Sequence, residues 1–251
     1  MTLMKSLSSK NPFLKAGGGT PDIDFIHLLL LGGTGVGKST AVLAIINYLY
    51  NQNPASEFII SEMKQSDYLF AEHLPNVYLG DRAILAIDVA FNEIELRKKN
   101  RGREKTPYYL VVEELTSLFE LAGKSKKEYQ ERIRVILYTG RAFNVKLLAV
   151  SQDLLASALG EGSARNQFSL VIALGSLRSS VTRGLFELDE GQELQKNLPK
   201  RFGYLQRFDD GSNVIKIKVK QIPDINLLKG RVLDILGKSA DVAEAVGPDS
   251  L

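Results

Sequence analysis

Gly32-Gly33-Thr34-Gly35-Val36-Gly37-Lys38-Ser39 decides how this chain is read. It fits G-x-x-x-x-G-K-[ST], the phosphate-binding P-loop. The flanks agree with it. Phe25-Ile26-His27-Leu28-Leu29-Leu30-Leu31 is an apolar run of buried-strand length, and Thr40-Ala41-Val42-Leu43-Ala44-Ile45-Ile46 continues as a helix. Glycines let backbone N–H groups curl around phosphate oxygens, and the helix N-terminus adds partial positive charge. Residues 32–40 therefore predict a nucleoside triphosphate site, with ATP and Mg²⁺ as its occupants. In this motif the lysine, here Lys38, reaches the β- and γ-phosphates, and the hydroxyl of Ser39 holds the metal.

Composition narrows the class. The 251 residues suffice for one large α/β domain, or one domain with tails. Absence of cysteine excludes disulfides, Cys-ligated zinc and iron–sulfur clusters, and two histidines leave little for a His-based metal site. Net charge is +3, with a pI of about 8.9, compatible with nucleic acid without indicating it. No apolar run approaches the ~18–20 residues of a membrane span. Met1-Thr2-Leu3-Met4-Lys5 lacks the apolar core of a signal peptide. The expectation is a soluble cytoplasmic protein that meets a membrane only through a partner.

Residues 1–22 read as a flexible tail, broken by Gly17-Gly18-Gly19 and Pro21, and 238–251 read as a small acidic tail. Between them, 23–237 form the expected domain. Strands are expected at 57–61, 76–79, 108–112, 145–150 and 169–174. Helices are expected from Asp81, as a capping residue, and over about 127–142. Fully apolar strands alternating with helices predict a mainly parallel sheet covered on both faces. Residues 203–208 and 213–219 flank Asp209-Asp210-Gly211-Ser212 and read as a β-hairpin. Lys216, Lys218 and Lys220 share one face there, as edge-strand lysines do. The basic run from Arg97 to Lys105 is either a solvated helix end or a binding surface.

A P-loop needs an acidic partner. Glu113 and Glu114 follow the apolar strand 108–112, where the first can hold the Mg²⁺ hydration shell and the second can polarise the attacking water. The alternative is a pair of solvated glutamates opening a helix. Asp is usual at the first position, and Glu113 is one methylene longer. Gln152 ends the next strand and is placed to sense the γ-phosphate, or simply to end a strand.

The stretches 26–50, 108–152 and 170–186 resemble, in the same order, the motor domain of FtsK/SpoIIIE DNA translocases and the wider FtsK–HerA ATPase superfamily. The segment from Glu113 to Gln152 carries most of the likeness: the acidic pair, an Ala-Gly-Lys turn, a charged helix, Gly140-Arg141-Ala142 and a strand closing in Ser-Gln. The resemblance implies a RecA-like P-loop NTPase domain working as a hexameric ring around double-stranded DNA. It implies Glu113 and Glu114 as the Walker B pair and Gln152 as the sensor. Arg141 falls on an arginine thought to act on the neighbouring subunit's nucleotide. Arg165 and Arg183 match basic residues of pore loops that contact DNA, and Arg178 lies near another.

The chain also departs from the family. Asp153-Leu154 stands where Arg-Pro is expected. Segments matching the family's membrane domain and C-terminal winged helix are missing. The reading is a stand-alone motor, as in mobile elements or viruses, moving DNA in plasmid transfer or genome packaging. A motor that moves protein, or a slowly hydrolysing scaffold, remains open.

Overall fold

The computed structural model describes residues 11–102, 106–152, 165–176 and 184–245, without the side chains of Arg165 and 241–245. In chain order the elements are β1 (Phe13–Lys15), β2 (Leu28–Gly32), α1 (Lys38–Gln52), β3 (Glu57–Glu62), β4 (Val77–Leu79), α2 (Leu85–Lys99) and β5 (Tyr108–Glu113). Then come α3 (Leu115–Leu121), α4 (Lys126–Phe143), β6 (Val145–Ser151), β7 (Leu170–Leu174), β8 (Phe202–Arg207), β9 (Ile215–Val219) and α5 (Ile225–Ala245).

Among the described residues, nine strands join one sheet in the order β1-β9-β8-β7-β2-β6-β5-β3-β4. From β7 to β4 every pairing is parallel, and β8, β9 and β1 add on antiparallel. The period of two within apolar strands sorts the core into two layers. Leu28, Leu30, Val111 and Val150 face α1 and α5, whereas Leu29, Leu31, Val112 and Ala149 face α2, α3 and α4. Strands buried on both faces need apolar residues at every position, which is why these read as continuous apolar runs. The α/β class, the parallel sheet covered on both faces and the hairpin of β8 and β9 are as expected.

Both expected tails contain structure. Phe13 is fully buried in β1, which pairs with β9, and Asn11 donates to Pro21 O at 2.5 Å, closing the segment on itself. At the other end α5 runs past residue 238. Ser239 and Ala240 are buried, and Ser239 Oγ accepts the Phe58 N–H at 2.8 Å. An apolar residue every third or fourth position carries α5 over α1, from Leu228 to Leu236.

Three local readings change as well. Asp81 caps nothing: it sits in a 3-10 turn, and α2 begins at Leu85 with no side-chain cap. β9 is not an edge strand, because β1 covers it; Lys216 and Lys218 instead lie over the Phe202 ring. Arg97 is 1% exposed and donates to the carbonyls of Thr106 and Phe143, so it ties helix α2 to the start of β5 rather than joining a basic surface. Among the described residues, no helix is long and apolar enough to cross a membrane.

Candidate nucleotide site

The site assembles at the C-terminal ends of four parallel strands, in the lateral order β2, β6, β5, β3. β2 leads into the glycine loop. β6 ends in Ser151 and Gln152, β5 in Glu113, and β3 in Glu62. Glu62 and Glu113 are direct neighbours across the β3–β5 pairing. Since β6 separates the glycine loop from the acids, a cleft forms over its tip, where ligands of parallel sheets bind. Residues of the loop and the acids line a cavity of about 500 Å³.

Backbone sterics fix the loop. A Cβ on Gly32 would lie 2.7 Å from Leu174 O and 2.9 Å from Val36 Cγ2. Gly37, at φ 102, starts α1 without a side-chain cap, which leaves the first-turn amides free for an anion. Thr34, Gly35, Lys38, Ser39 and Thr40 line the cavity, and Val36 packs beneath the loop instead. Gly33 offers its carbonyl: Lys38 Nζ donates to Gly33 O at 3.0 Å and to Gly32 O at 2.7 Å. Burial lowers the Lys38 pKa, against the opposing pull of Glu114 and Glu113.

Across the cavity, Glu113 is 9% exposed, and its Oε1 has no hydrogen-bond partner among the described residues. Burial pushes its pKa up to about 8, with Asp67 and Glu62 adding to the rise and Lys38 opposing it. Glu114 follows at φ 65, a left-handed conformation that costs a non-glycine residue about 1–2 kcal/mol. That geometry turns its carboxylate toward β6, where Oε1 lies 3.4 Å from both Ser151 Oγ and Gln152 N. Gln152 Oε1 in turn accepts from Thr34 Oγ1 at 3.3 Å, linking the acid to the glycine loop.

Two residues of the site were not expected. Glu62 accepts hydrogen bonds from the amides of Ser66, Asp67 and Tyr68 and from the Ser66 hydroxyl, at 2.8–3.0 Å. These bonds fix the loop after β3 so that Asp67 Oδ2 accepts the Ser39 hydroxyl at 2.7 Å. The sequence marks Glu62 as a carboxylate closing an apolar strand, as at Glu113; Asp67 lies in an aperiodic loop and carries no such mark.

The donor set fits a magnesium nucleotide. An orphaned buried carboxylate oxygen on Glu113 and the Ser39 hydroxyl stand at one end of an amide-lined loop. Among the described residues, no group of three or more His, Asp or Glu side chains forms a metal cage alone. This suits Mg²⁺, which keeps waters and binds through one or two carboxylates plus phosphates.

Arg141 is not part of this assembly. It is exposed on the last turn of α4 and lines a smaller cavity of about 210 Å³ with Ile26 and His27, at the start of β2. That is the end of the sheet opposite the glycine loop. The side chain of Arg165, and Arg178 and Arg183 entirely, lie outside the described residues, as does Asp153.

No family model and no curated protein matches the chain, but solved structures do. The pCW3 conjugation coupling protein TcpA, determined with ATPγS, superposes with TM-score 0.63 at 16% identity, over 92% of this chain and 72% of that one. This is a P-loop ATPase fold. The cytoplasmic domain of the type VII secretion ATPase EccC of Thermomonospora curvata gives TM-score 0.62 at 18% identity, over 91% of this chain and 31% of that one. The genome packaging NTPase of Sulfolobus turreted icosahedral virus 2, with ATP-gammaS, gives 0.52 at 17% identity, over 78% of this chain and 97% of that one. The chain thus spans less than half of the EccC protein. The fold implied by the resemblance to FtsK–HerA ATPase domains is the fold observed.

Proposed function

We propose that this chain is an ATP-hydrolysing motor that works as a ring and moves duplex DNA, in transfer of a plasmid or conjugative element or in genome packaging. The observation that carries the hydrolytic part is the placement of Glu113 and Glu114 across one cavity from Lys38 and Ser39. Backbone amides of the loop and Lys38 hold the phosphates. Ser39 and Glu113 hold Mg²⁺, with Asp67 orienting the serine. When bound, the metal neutralises charge on the β- and γ-phosphates. Glu114 takes a proton from the attacking water as its oxygen bonds to the γ-phosphorus. The bond to the β–γ bridging oxygen breaks, leaving ADP and inorganic phosphate. Gln152, touching both Thr34 and Glu114, senses whether the γ-phosphate is present.

Ring assembly is supported by the position of Arg141. An exposed arginine at the far end of the sheet cannot serve its own nucleotide, but it is free to serve a neighbour's. Such an arginine is worth ~10³–10⁵ in rate in other P-loop enzymes. Arg165, Arg178 and Arg183 are the proposed DNA contacts, gripping phosphates without reading sequence. DNA as cargo is supported by likeness to a conjugation coupling protein and a genome packaging NTPase. The experiment is the ATPase rate with and without long duplex DNA at several salt concentrations. Salt-sensitive stimulation is expected; no stimulation and no DNA binding at low salt overturns the DNA reading.

A second reading, a motor for protein, is favoured by the likeness to EccC, one structure of which holds a signal sequence peptide. Stimulation by a peptide and not by DNA would select it.

A further inference from the structure

The turn before β8 brings a second basic side chain to the glycine loop from the flank opposite the acids. Pro199, Lys200, Arg201 and Phe202 form a turn closed by the Phe202 N–H on Pro199 O at 3.1 Å. Arg201, at its third position, has φ 70. Glycine is the residue that positive φ favours there. The Arg201 N–H donates to Val36 O at 3.3 Å, and its carbonyl accepts the Val219 N–H at 2.7 Å. Glycine could make both bonds without strain. What glycine lacks is the side chain. Arg201 Cγ lies 3.8 Å from the position of a Cβ on Gly37, so its aliphatic stem runs over the glycine that precedes Lys38. Its guanidinium makes no hydrogen bond or ion pair with the described residues.

We propose that Arg201 grips the α- and β-phosphates of the nucleotide held by its own subunit. The inference rests on the nucleotide reading above and names a residue that the P-loop motif does not contain. The strand order separates the two ends of the phosphate chain. β8 stands on the β7 side of β2, whereas Glu113, Glu114 and Gln152 arrive from the β6 side, where the γ-phosphate is cleaved. In a P-loop the backbone amides cradle the α- and β-phosphates. An arginine whose stem passes over Gly37 carries its cation within reach of that end. A guanidinium matches phosphate oxygens with two parallel N–H donors, which an ammonium cannot. Strained backbone at a ligand-facing position is what such a placement costs.

The test is calorimetric binding of ATPγS and of ADP to the full chain, with Arg201→Gly, Arg201→Lys and Lys38→Ala. Arg201→Gly relaxes the backbone, so its melting temperature should stay within ~2 °C of the parent. Its affinity should fall roughly 10- to 100-fold for ATPγS and ADP alike, the size of a charge-assisted contact. Arg201→Lys, keeping the charge and losing the fork, should fall in between. Unchanged affinity for both nucleotides overturns the proposal. Loss for ATPγS alone also overturns it, because the contact would then be to the γ-phosphate. A melting temperature several degrees lower in both variants, with affinity lost equally in both, assigns Arg201 to the fold and overturns it as well. Parent protein that binds neither nucleotide, with Lys38→Ala no different, refutes the nucleotide reading itself.

Discussion

Ser39 Oγ donates a 2.7 Å hydrogen bond to Asp67 Oδ2, so the last residue of the phosphate-binding motif is oriented by a loop that follows β3, two strands beyond β6. Residues that orient a metal ligand typically change metal affinity 10- to 100-fold when removed. Asp67→Asn should fold normally and raise the Mg²⁺ concentration needed for half-maximal ATPγS binding by about 10-fold. Titrating MgCl₂ against bound ATPγS reads this directly. An unchanged Mg²⁺ midpoint would make the contact a purely structural one.

Glu62 holds Asp67 in place. Its carboxylate, 1% exposed, accepts four hydrogen bonds from residues 66–68. Glu62→Gln removes the charge and turns an amino group toward donors. The expected loss is roughly 1.5–3 kcal/mol of stability, the range for hydrogen bonds to a charged group. Urea unfolding checks it. The Mg²⁺ midpoint should move in the same direction as in Asp67→Asn, because the same loop is released.

Glu114 combines a strained backbone with a proposed chemical role. Glu114→Gln should bind ATP and lose turnover by at least ~100-fold, the contribution of a positioned base. Glu114→Gly should be equally inactive, yet as stable as the parent or up to about 1 kcal/mol more so, since glycine adopts φ 65 freely. Full turnover in Glu114→Gln would remove it as the base. Loss of stability in Glu114→Gly would mean that the side chain, and not the strain, dominates there.

The residues legible in the sequence were those whose spacing is fixed by backbone geometry. The phosphate loop needs its glycines at set positions, and a carboxylate closing an apolar strand must emerge at the strand's tip, as Glu113 does. Asp67 and Arg201 were illegible for a common reason: each reaches the site from a turn whose conformation depends on tertiary contacts, with Glu62 in one case and with Val36 and Val219 in the other. Short β1 pairs with β9, more than 200 residues away, so no local pattern could separate Phe13-Leu14-Lys15 from a tail. The lysines of β9 were misread as an edge for the same reason.

His27, just before β2 at the end of the sheet opposite the glycine loop, makes stability depend on pH. It is 0% exposed, and its Nδ1 accepts the Leu147 N–H at 3.0 Å, which requires the neutral ring. Its pKa falls from 6.5 to about 4, chiefly through burial, with Lys146 adding to the fall and the Leu137 carbonyl opposing it. The unfolded chain therefore binds the proton more tightly. The contribution is fully present above pH 6.5 and is lost as pH falls toward about 4. At ~1.4 kcal/mol for each pH unit, it amounts to about 3 kcal/mol. Glu113 acts in the other sense: its raised pKa removes stability as pH climbs from 4.5 toward about 8. The two overlap, so the readout is a difference. His27→Asn keeps an acceptor for Leu147 and cannot be protonated. Urea unfolding of the parent and of His27→Asn between pH 7.5 and 4.5 should show the parent losing about 2.5 kcal/mol relative to the variant. Parallel curves would mean that the buried ring takes up its proton without disturbing the fold.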